Sequence, residues 1–258
     1  MSLFKNIFFA VVLGVVAWFL YIQFAGPNAV VPPEGEASLP FTHEATTTTY
    51  HVTIDLPTTP NAVLNDSVRA YADARIAEFD EMYGPAAFSA EDLDMLGFTT
   101  RDMRYEQFIS GEVWSSGTLD GMIVQEYNFT GGAHGGTSLA PFMYDDAGNE
   151  LRLKDLFVDG APYLERIAQA VVPRLKTDLE TNQIFNQEMF EAGTKADEGN
   201  YMVFSLATAS GGVPPTAGDD SSITFYFNQY QVAPYAAGIL EVTVPLSDFS
   251  DILSPNYF

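Results

Sequence analysis

The sequence predicts an α+β domain with mainly antiparallel sheets and two long amphipathic helices, preceded by one N-terminal transmembrane helix. Many short segments are rich in the β-branched and aromatic residues that favour strands. Only two segments repeat apolar residues every three or four positions, the spacing typical of amphipathic helices. Helices are therefore too few for regular alternation with strands, and we expect consecutive strands to pair with one another.

The first 25 residues are the most apolar part of the chain. Lys5 is their only charged side chain, and in the 19 residues from 7 to 25 the only strongly polar side chain is Gln23. Roughly 20 apolar residues are needed to cross a bilayer core. We therefore predict an uncleaved membrane anchor over residues 1–25, with residues 7–25 in the membrane. A cleaved signal peptide is the alternative, although its apolar region is usually only about 7 to 15 residues long.

Charge predicts the orientation of this anchor. Lys5 precedes the apolar stretch, and the next basic residue after it is Arg69. Because basic residues stay on the cytoplasmic side, the N-terminus is expected in the cytoplasm and the C-terminal domain outside it. The chain is then a single-pass protein of a bacterial cell membrane.

Residues 26–49 are rich in proline, threonine, alanine and glutamate, which predicts a partly extended stalk. The extracytoplasmic domain is expected to occupy residues 50–258. The sequence leaves open whether this is one domain or two subdomains, with the boundary between residues 120 and 121.

The first helix is expected to begin after Asn61, a suitable N-cap, and to end at Gly84. Its apolar face consists of Leu64, Val68, Tyr71, Ala72, Ile76, Phe79 and Met82. The second helix is expected from about residue 161, and Pro173 should kink it or end its first part.

Alternation of apolar and polar residues predicts the strands. They are expected at residues 50–56, 101–109, 122–130, 138–144, 150–153, 202–207, 223–227 and 240–244. Residues 145–149 should form the hairpin turn between two of them. Residues 208–222, with paired glycines, prolines and aspartates, are expected to be a mobile surface loop.

Two corners of the chain predict a binding surface. Four glycines occur at positions 131, 132, 135 and 136, directly after an aromatic strand, which indicates positive φ or very close contact with another group. About a hundred residues later, residues 233–238 form a stiff turn in which only Tyr235 is bulky. We expect the two corners to form one composite surface. The candidate ligand-binding residues are Tyr127, Gly131, Gly132, His134, Gly135, Tyr230, Pro234 and Tyr235.

These corners also carry a family resemblance. Residues 131–135 (GGAHG), 148–157 (GNELRLKDLF) and 234–245 (PYAAGILEVTVP) resemble the extracytoplasmic domain of the lysozyme-sensing anti-sigma factor RsiV. They also resemble the non-catalytic N-terminal region of the peptidoglycan deacetylase PdaC, and residues 52–57 and 64–65 resemble the first half of that domain more weakly. The resemblance implies binding rather than catalysis. The implied ligand is a basic, muramidase-like protein or peptidoglycan.

The charge of the chain is strongly negative. It contains 11 Lys and Arg against 34 Asp and Glu, for a net charge of -23. Such a surface repels nucleic acid and attracts basic proteins, so no nucleic-acid partner is expected. The alternative interpretation is that acidity only keeps an exported domain soluble.

His134 is the obvious candidate for acid–base or metal chemistry. The other histidines, His43 and His51, lie in the predicted stalk and at its edge, and no zinc-binding or serine-nucleophile motif occurs. We therefore predict no catalytic residue, no metal and no cofactor. Two alternatives stay open. One is a cell-wall glycan hydrolase or deacetylase that uses His134 with a nearby carboxylate, of which Glu126 is the first to test; the other is a structural subunit of an envelope complex.

Each candidate side chain also has a purely structural interpretation. His134 would hydrogen-bond across its own loop to fix the loop's shape. Tyr235 would pack beneath the sheet to hold its corner. Glu126 would face solvent or form an ion pair.

Overall fold

The computed structural model describes residues 40–98, 104–207 and 220–258. The predicted anchor, most of the predicted stalk and nearly all of the predicted loop at 208–222 lie outside these residues. Within the described ranges, no helix is both long enough and apolar enough to cross a membrane.

The first half of the fold is a five-stranded sheet, called sheet 1, with its strands in the order β1-β2-β3-β4-β5. Its strands are β1 (Phe41–Thr46), β2 (Tyr50–Leu56), β3 (Tyr105–Ser116), β4 (Leu119–Phe129) and β5 (Gly136–Asp145). The β2–β3 pair is parallel, and the other three pairs are antiparallel. A parallel pair needs a long crossover connection, which here contains helices α1 (Ala62–Tyr83) and α2 (Ala90–Met95). The α+β class is confirmed, with one parallel pair in a mainly antiparallel sheet.

Helix α1 follows the sequence prediction at both ends. The Asn61 side chain accepts a hydrogen bond from the backbone N–H of Leu64, and Gly84 is the C-terminal cap. Leu64, Val68 and residues of sheet 1 form one buried cluster, so α1 covers one face of this sheet. We call this the inner face and the opposite side the outer face.

The second half is a three-stranded antiparallel sheet, called sheet 2, with α3 (Tyr163–Thr181) packed against it. Its strands are β6 (Phe204–Ala207), β7 (Ser222–Phe227) and β8 (Leu240–Pro245), and two short helices, α4 (Gln187–Gly193) and α5 (Glu198–Tyr201), precede β6. Ile167, Val171 and Leu175 of α3 are fully buried in the larger core. The helix continues through Pro173 to Thr181, so the proline does not end it.

Two boundaries expected from the sequence are corrected. Residues 41–46, assigned to the stalk, form β1 and pair with β2 from Phe41↔Leu56 to Thr46↔His51. This edge strand is mostly exposed and lacks an apolar alternation, which is why its pattern resembled a linker. The alternative subdomain boundary at 120/121 falls inside β4, which pairs with both β3 and β5.

The predicted strand at residues 150–153 is also corrected. The turn before it is present, because the Asp145 carboxylate accepts hydrogen bonds from the N–H groups of Ala147 and Asn149. The chain then makes only a single bridge, Tyr144↔Glu150, and enters a short 3₁₀ turn. Leu153 and Leu156 in this turn are buried in the larger core, so tertiary packing overrides the strand tendency.

Gly121 in β4 provides a test of packing on the outer face of sheet 1. A Cβ atom at this position would lie 2.1 Å from Cε2 of Trp114, its cross-strand neighbour on β3. We expect Gly121→Ala to reduce the free energy of unfolding by about 1–3 kcal/mol, because the ring has to move.

Gly136→Ala is the matched control, since a Cβ at Gly136 meets no atom within 4 Å. Its free energy of unfolding should change by less than about 1 kcal/mol. Urea denaturation of both variants measures the difference. Equal destabilisation by the two substitutions would contradict the packing assigned to Trp114.

Candidate functional site

The glycine corner after β4 has both features that the sequence predicts. Gly131 and Gly132 have φ of +88° and +99°, which side chains rarely tolerate. Gly135 instead allows a close contact, because a Cβ there would lie only 2.4 Å from Cζ of Tyr127. The Tyr127 ring therefore lies directly against the backbone of Gly135.

The second corner is a 3₁₀ turn, Tyr235–Ala237, that begins after Pro234 and ends at Gly238, with φ of +70°. Its Tyr235 ring stacks on the His134 ring with a centroid distance of 3.8 Å and an interplanar angle of 19°. The Tyr230 ring lies 5.6 Å from the Tyr235 ring. The expected juxtaposition of the two corners is thus present.

Hydrogen bonds at the edge of β5 hold the two corners together. The N–H groups of Thr137 and Leu139 point away from β4 and donate to the side-chain oxygens of Gln229 and Asn228, each over 2.8 Å. The next outward-facing residue is Pro141, which has no N–H to donate. The turn after β7 is therefore fixed beside the glycine corner, and Tyr230 follows directly in that turn.

His134 is exposed and hydrogen-bonded within its own loop. Its Nδ1 lies 2.9 Å from the carbonyl oxygen of Gly135. A carbonyl only accepts, so Nδ1 carries the proton of this hydrogen bond. This agrees with the structural interpretation of His134. Tyr235 is half-buried and rests on His134 rather than beneath a sheet.

The outer face of sheet 1 carries an aromatic row, of which the sequence had singled out only Tyr127. Phe108 of β3 stacks on Tyr127 of β4 with centroids 5.7 Å apart, and the His51 ring of β2 lies 6.1 Å from Phe108. Phe108 is 38% exposed. In the structure, Phe108 alternates with buried Gln107 and Ile109 and so faces outward; the sequence places one polar and one apolar residue on each face here and did not show which face is buried.

Acidic side chains surround this row. The strand registers place Glu44, Asp55, Glu106 and Glu112 on the same face as Phe108. None of the five strands of sheet 1 contains a lysine or an arginine. We call the aromatic row and these four carboxylates the acidic aromatic face.

Glu126, the acid proposed for catalysis, points to the inner face and is 2% exposed. Arg75 of α1 donates to both of its carboxylate oxygens, over 2.9 and 3.2 Å. Tyr71, Gln107 and Asn128 donate three further hydrogen bonds of 2.7–3.1 Å. These donors occupy the lone pairs of the carboxylate, so Glu126 has a structural role as a buried ion pair.

The pKa values of its neighbours follow from this arrangement. Burial, and after it the Glu126 charge, raises the pKa of Tyr71 well above its usual range. For Arg75, burial alone would lower the pKa, but hydrogen bonding to Glu126 and its charge outweigh burial and raise it. Tyr71 therefore stays neutral and Arg75 stays charged at physiological pH.

A metal centre finds no support among the residues that the structure describes. They include no group of three or more His, Asp or Glu side chains that could hold a metal ion. His134 is accompanied instead by aromatic rings, amides and backbone groups.

Comparisons with known proteins agree with this fold. The model of one protein family, described as "Protein of unknown function (DUF3298)", matches residues 216–247. These residues include β7 and the Tyr235 corner. The peptidoglycan-N-acetylmuramic acid deacetylase PdaC of Bacillus subtilis (strain 168) is 22% identical over 212 residues, or 81% of this chain. The chain spans only 40% of the length of that relative. The expected similarity to PdaC is confirmed as a distant one, while the likeness to RsiV rests on the sequence motifs.

Two crystal structures of DUF3298 family proteins share the fold. The protein of Pseudomonas aeruginosa PAO1 is 20% identical with a TM-score of 0.50, and the alignment covers 85% of this chain and 94% of that one. The protein of Bacteroides fragilis is 18% identical with a TM-score of 0.51, covering 84% and 92%. At such low identity these similarities concern the fold alone.

The buried ion pair predicts a large difference between two glutamates that both contact Arg75. Glu126→Gln keeps the shape but leaves the guanidinium without its buried counter-charge, and we expect the free energy of unfolding to fall by about 3–5 kcal/mol. Glu78 contacts the same guanidinium but its side chain is 53% exposed. Glu78→Gln, the control, should cost less than about 1 kcal/mol. Chemical denaturation at pH 7 measures both, and similar values for the two would argue against a structural role for Glu126.

Proposed function

We propose that residues 40–258 form an extracytoplasmic binding domain without catalytic function, and that its ligand is a basic, lysozyme-like protein. One observation carries this proposal. The acidic aromatic face combines stacked rings and four carboxylates on five strands that contain no lysine or arginine. Such a surface fits a partner rich in arginine and lysine.

The chemistry of this face suits cationic side chains in two ways. Guanidinium and ammonium groups are attracted to the faces of aromatic rings, and more strongly where water is excluded. Adjacent carboxylates add charge-assisted hydrogen bonds, which are bidentate with arginine. Phe108 and Tyr127 offer the rings. Glu106 is the next residue on the same face of β3, and Glu112 follows on that face beyond Ser110.

The scaffold holds these groups in place before a ligand arrives. Phe108 and Tyr127 lie on central strands, and the Tyr127 ring rests on Gly135. Through this contact the row continues to the stacked rings of His134 and Tyr235. Rigid aromatic side chains lose little conformational entropy on binding, and they often contribute most of the affinity of an interface.

The net charge of -23 would assist encounter with such a partner. Opposite charges raise association rates, and the effect weakens as salt screens it over roughly 8 Å at physiological ionic strength. The proposed anchor at residues 7–25 and the stalk that follows would present the domain outside the membrane. The distant relative is named for an enzyme acting on peptidoglycan, which supports a place near the cell wall.

A hydrolase or deacetylase that uses His134 with Glu126 is not favoured by this geometry. Glu126 points to the inner face and is hydrogen-bonded to Arg75, whereas the adjacent Tyr127 projects from the outer face. His134 stacks on Tyr235 and bonds to Gly135. These contacts support a role in shaping a surface.

The aromatic row predicts a specific effect on binding. The full chain in detergent micelles should bind hen lysozyme at physiological salt, and Phe108→Ala should weaken the Kd about tenfold or more, as loss of a central aromatic contact does. Val113→Ala is the control, because Val113 lies on the same strand and is 43% exposed. Its Kd should change less than about threefold. Biolayer interferometry measures all three proteins.

The carboxylates predict a change in kinetics. The double variant Glu106→Gln/Glu112→Gln should lower the association rate for lysozyme and flatten its dependence on salt. Replacing two acids of α1, Asp73→Asn/Glu81→Gln, removes the same charge elsewhere and should change the rate much less. If the chain captures purified peptidoglycan but not lysozyme, peptidoglycan replaces lysozyme as the proposed partner. If it captures neither, the proposal is refuted.

A further inference from the structure

An open cleft of about 340 Å³ lies between the glycine corner and the turn after β7. Polar but uncharged side chains form its walls, among them Asn128, Thr130, Ser138 and Gln229. Rings of His134 and Tyr230 stand at its border. Its lining contains no Lys, Arg, Asp or Glu, although the chain as a whole is strongly acidic.

Hydrogen bonds orient the two amides of the cleft. Oε1 of Gln229 accepts a hydrogen bond from the N–H of Thr137, so Nε2 of the same amide points away from that N–H group. Asn128 donates through Nδ2 to the Glu126 carboxylate over 2.7 Å, which places its Oδ1 on the other side of the amide. That Oδ1 is buried and has no hydrogen-bond partner among the described residues. The Gln229 amide thus lines the cleft with its orientation fixed, whereas Oδ1 of Asn128 lies beneath the surface of the wall.

Tyr230 is held in an unusual backbone conformation. Its φ is +65°, a region that bulky residues rarely adopt, and its side chain is nevertheless largely exposed, with 55% of the residue accessible. Strained, exposed residues of this kind cluster at ligand sites. The neighbouring Tyr235 and His134 rings continue the aromatic wall.

We propose that this cleft binds an uncharged saccharide unit. A pyranose ring presents C–H groups on its faces and hydroxyl groups around its rim. The exposed ring of Tyr230 fits the former, and the amide of Gln229 and the hydroxyls of Thr130 and Ser138 fit the latter. An anionic sugar is disfavoured, because the lining has no Lys or Arg to compensate its charge.

This inference does not depend on the proposed protein ligand. The cleft and the acidic aromatic face meet at Gly135, but Phe108, Tyr127, Glu106 and Glu112 do not line the cleft. A variant that fills the cleft should therefore leave binding of a basic protein intact. The two proposals can fail separately.

Gly136 allows the cleft to be filled without disturbing the fold. It lines the cleft, does not have positive φ, and a Cβ built on it meets no atom within 4 Å. Gly136→Leu should place an isobutyl group in the cleft, while Gly136→Ala should leave most of it open. Tyr230→Asn removes the ring with a residue that tolerates positive φ.

Saturation-transfer difference NMR of the full chain, in micelles of a detergent without a sugar headgroup, tests the proposal with the trimer of N-acetylglucosamine. We expect transfer to the ring C–H protons of the trimer, retained by Gly136→Ala and weakened about tenfold or more in Kd by Gly136→Leu and Tyr230→Asn. A hyaluronan tetrasaccharide, which carries carboxylates, should bind at least about tenfold more weakly than the trimer.

Three results would overturn the inference. They are absence of transfer from the parent chain at millimolar trimer, equal transfer in Gly136→Leu, and equal binding of the anionic tetrasaccharide. Lysozyme binding, measured separately and without sugar, should be unchanged in Gly136→Leu. If Gly136→Leu and Tyr230→Asn both lose lysozyme binding together with trimer binding, the two sites are one, which contradicts an independent saccharide site.

Discussion

The outer edge of β5 is the constraint on which the stacked corners and the cleft depend. A free strand edge exposes backbone donors and invites pairing with other chains. Here two of those donors, at Thr137 and Leu139, bond to the amide side chains of Gln229 and Asn228. The side chains of Gln229 and Asn228 thereby satisfy these edge donors, and they hold the turn after β7 against the glycine corner. The stack of Tyr235 on His134 and one wall of the cleft follow from this contact.

Because side chains alternate along β4, this strand places a buried ion pair on one face of sheet 1 and part of the proposed binding surface on the other. Glu126 points inward to Arg75 of α1, and its neighbour Tyr127 points outward to Phe108 and Gly135. The buried ion pair fixes α1 against the strands directly behind the aromatic row. A binding surface supported in this way can keep its rings in position without ligand, which lowers the entropy lost on binding. Asn128 joins the two systems, because it donates to Glu126 and also lines the cleft.

Local chemistry in the sequence predicted much of this fold. Asn61 and Gly84 mark the ends of α1 because capping depends on neighbouring residues, and glycine spacing predicted the left-handed backbone at Gly131 and Gly132. The failures involve partners distant in sequence. Strand β1 is an edge strand stabilised by β2, and nothing in its own composition shows that pairing. Likewise, the role of Asn228 and Gln229 depends on the position of β5, about ninety residues earlier.

The distribution of charge bears on whether acidity serves solubility alone. The arginines and lysines at positions 69, 75, 166, 174 and 176 lie on α1 and α3, where they form ion pairs with nearby acids. A requirement for solubility alone would be satisfied by excess acid spread over any exposed surface. Sheet 1 instead combines carboxylates with the exposed ring of Phe108 and has no lysine or arginine on any of its five strands. An exposed aromatic ring such as that of Phe108 reduces solubility, so its position among those carboxylates supports the proposed recognition of a cationic partner.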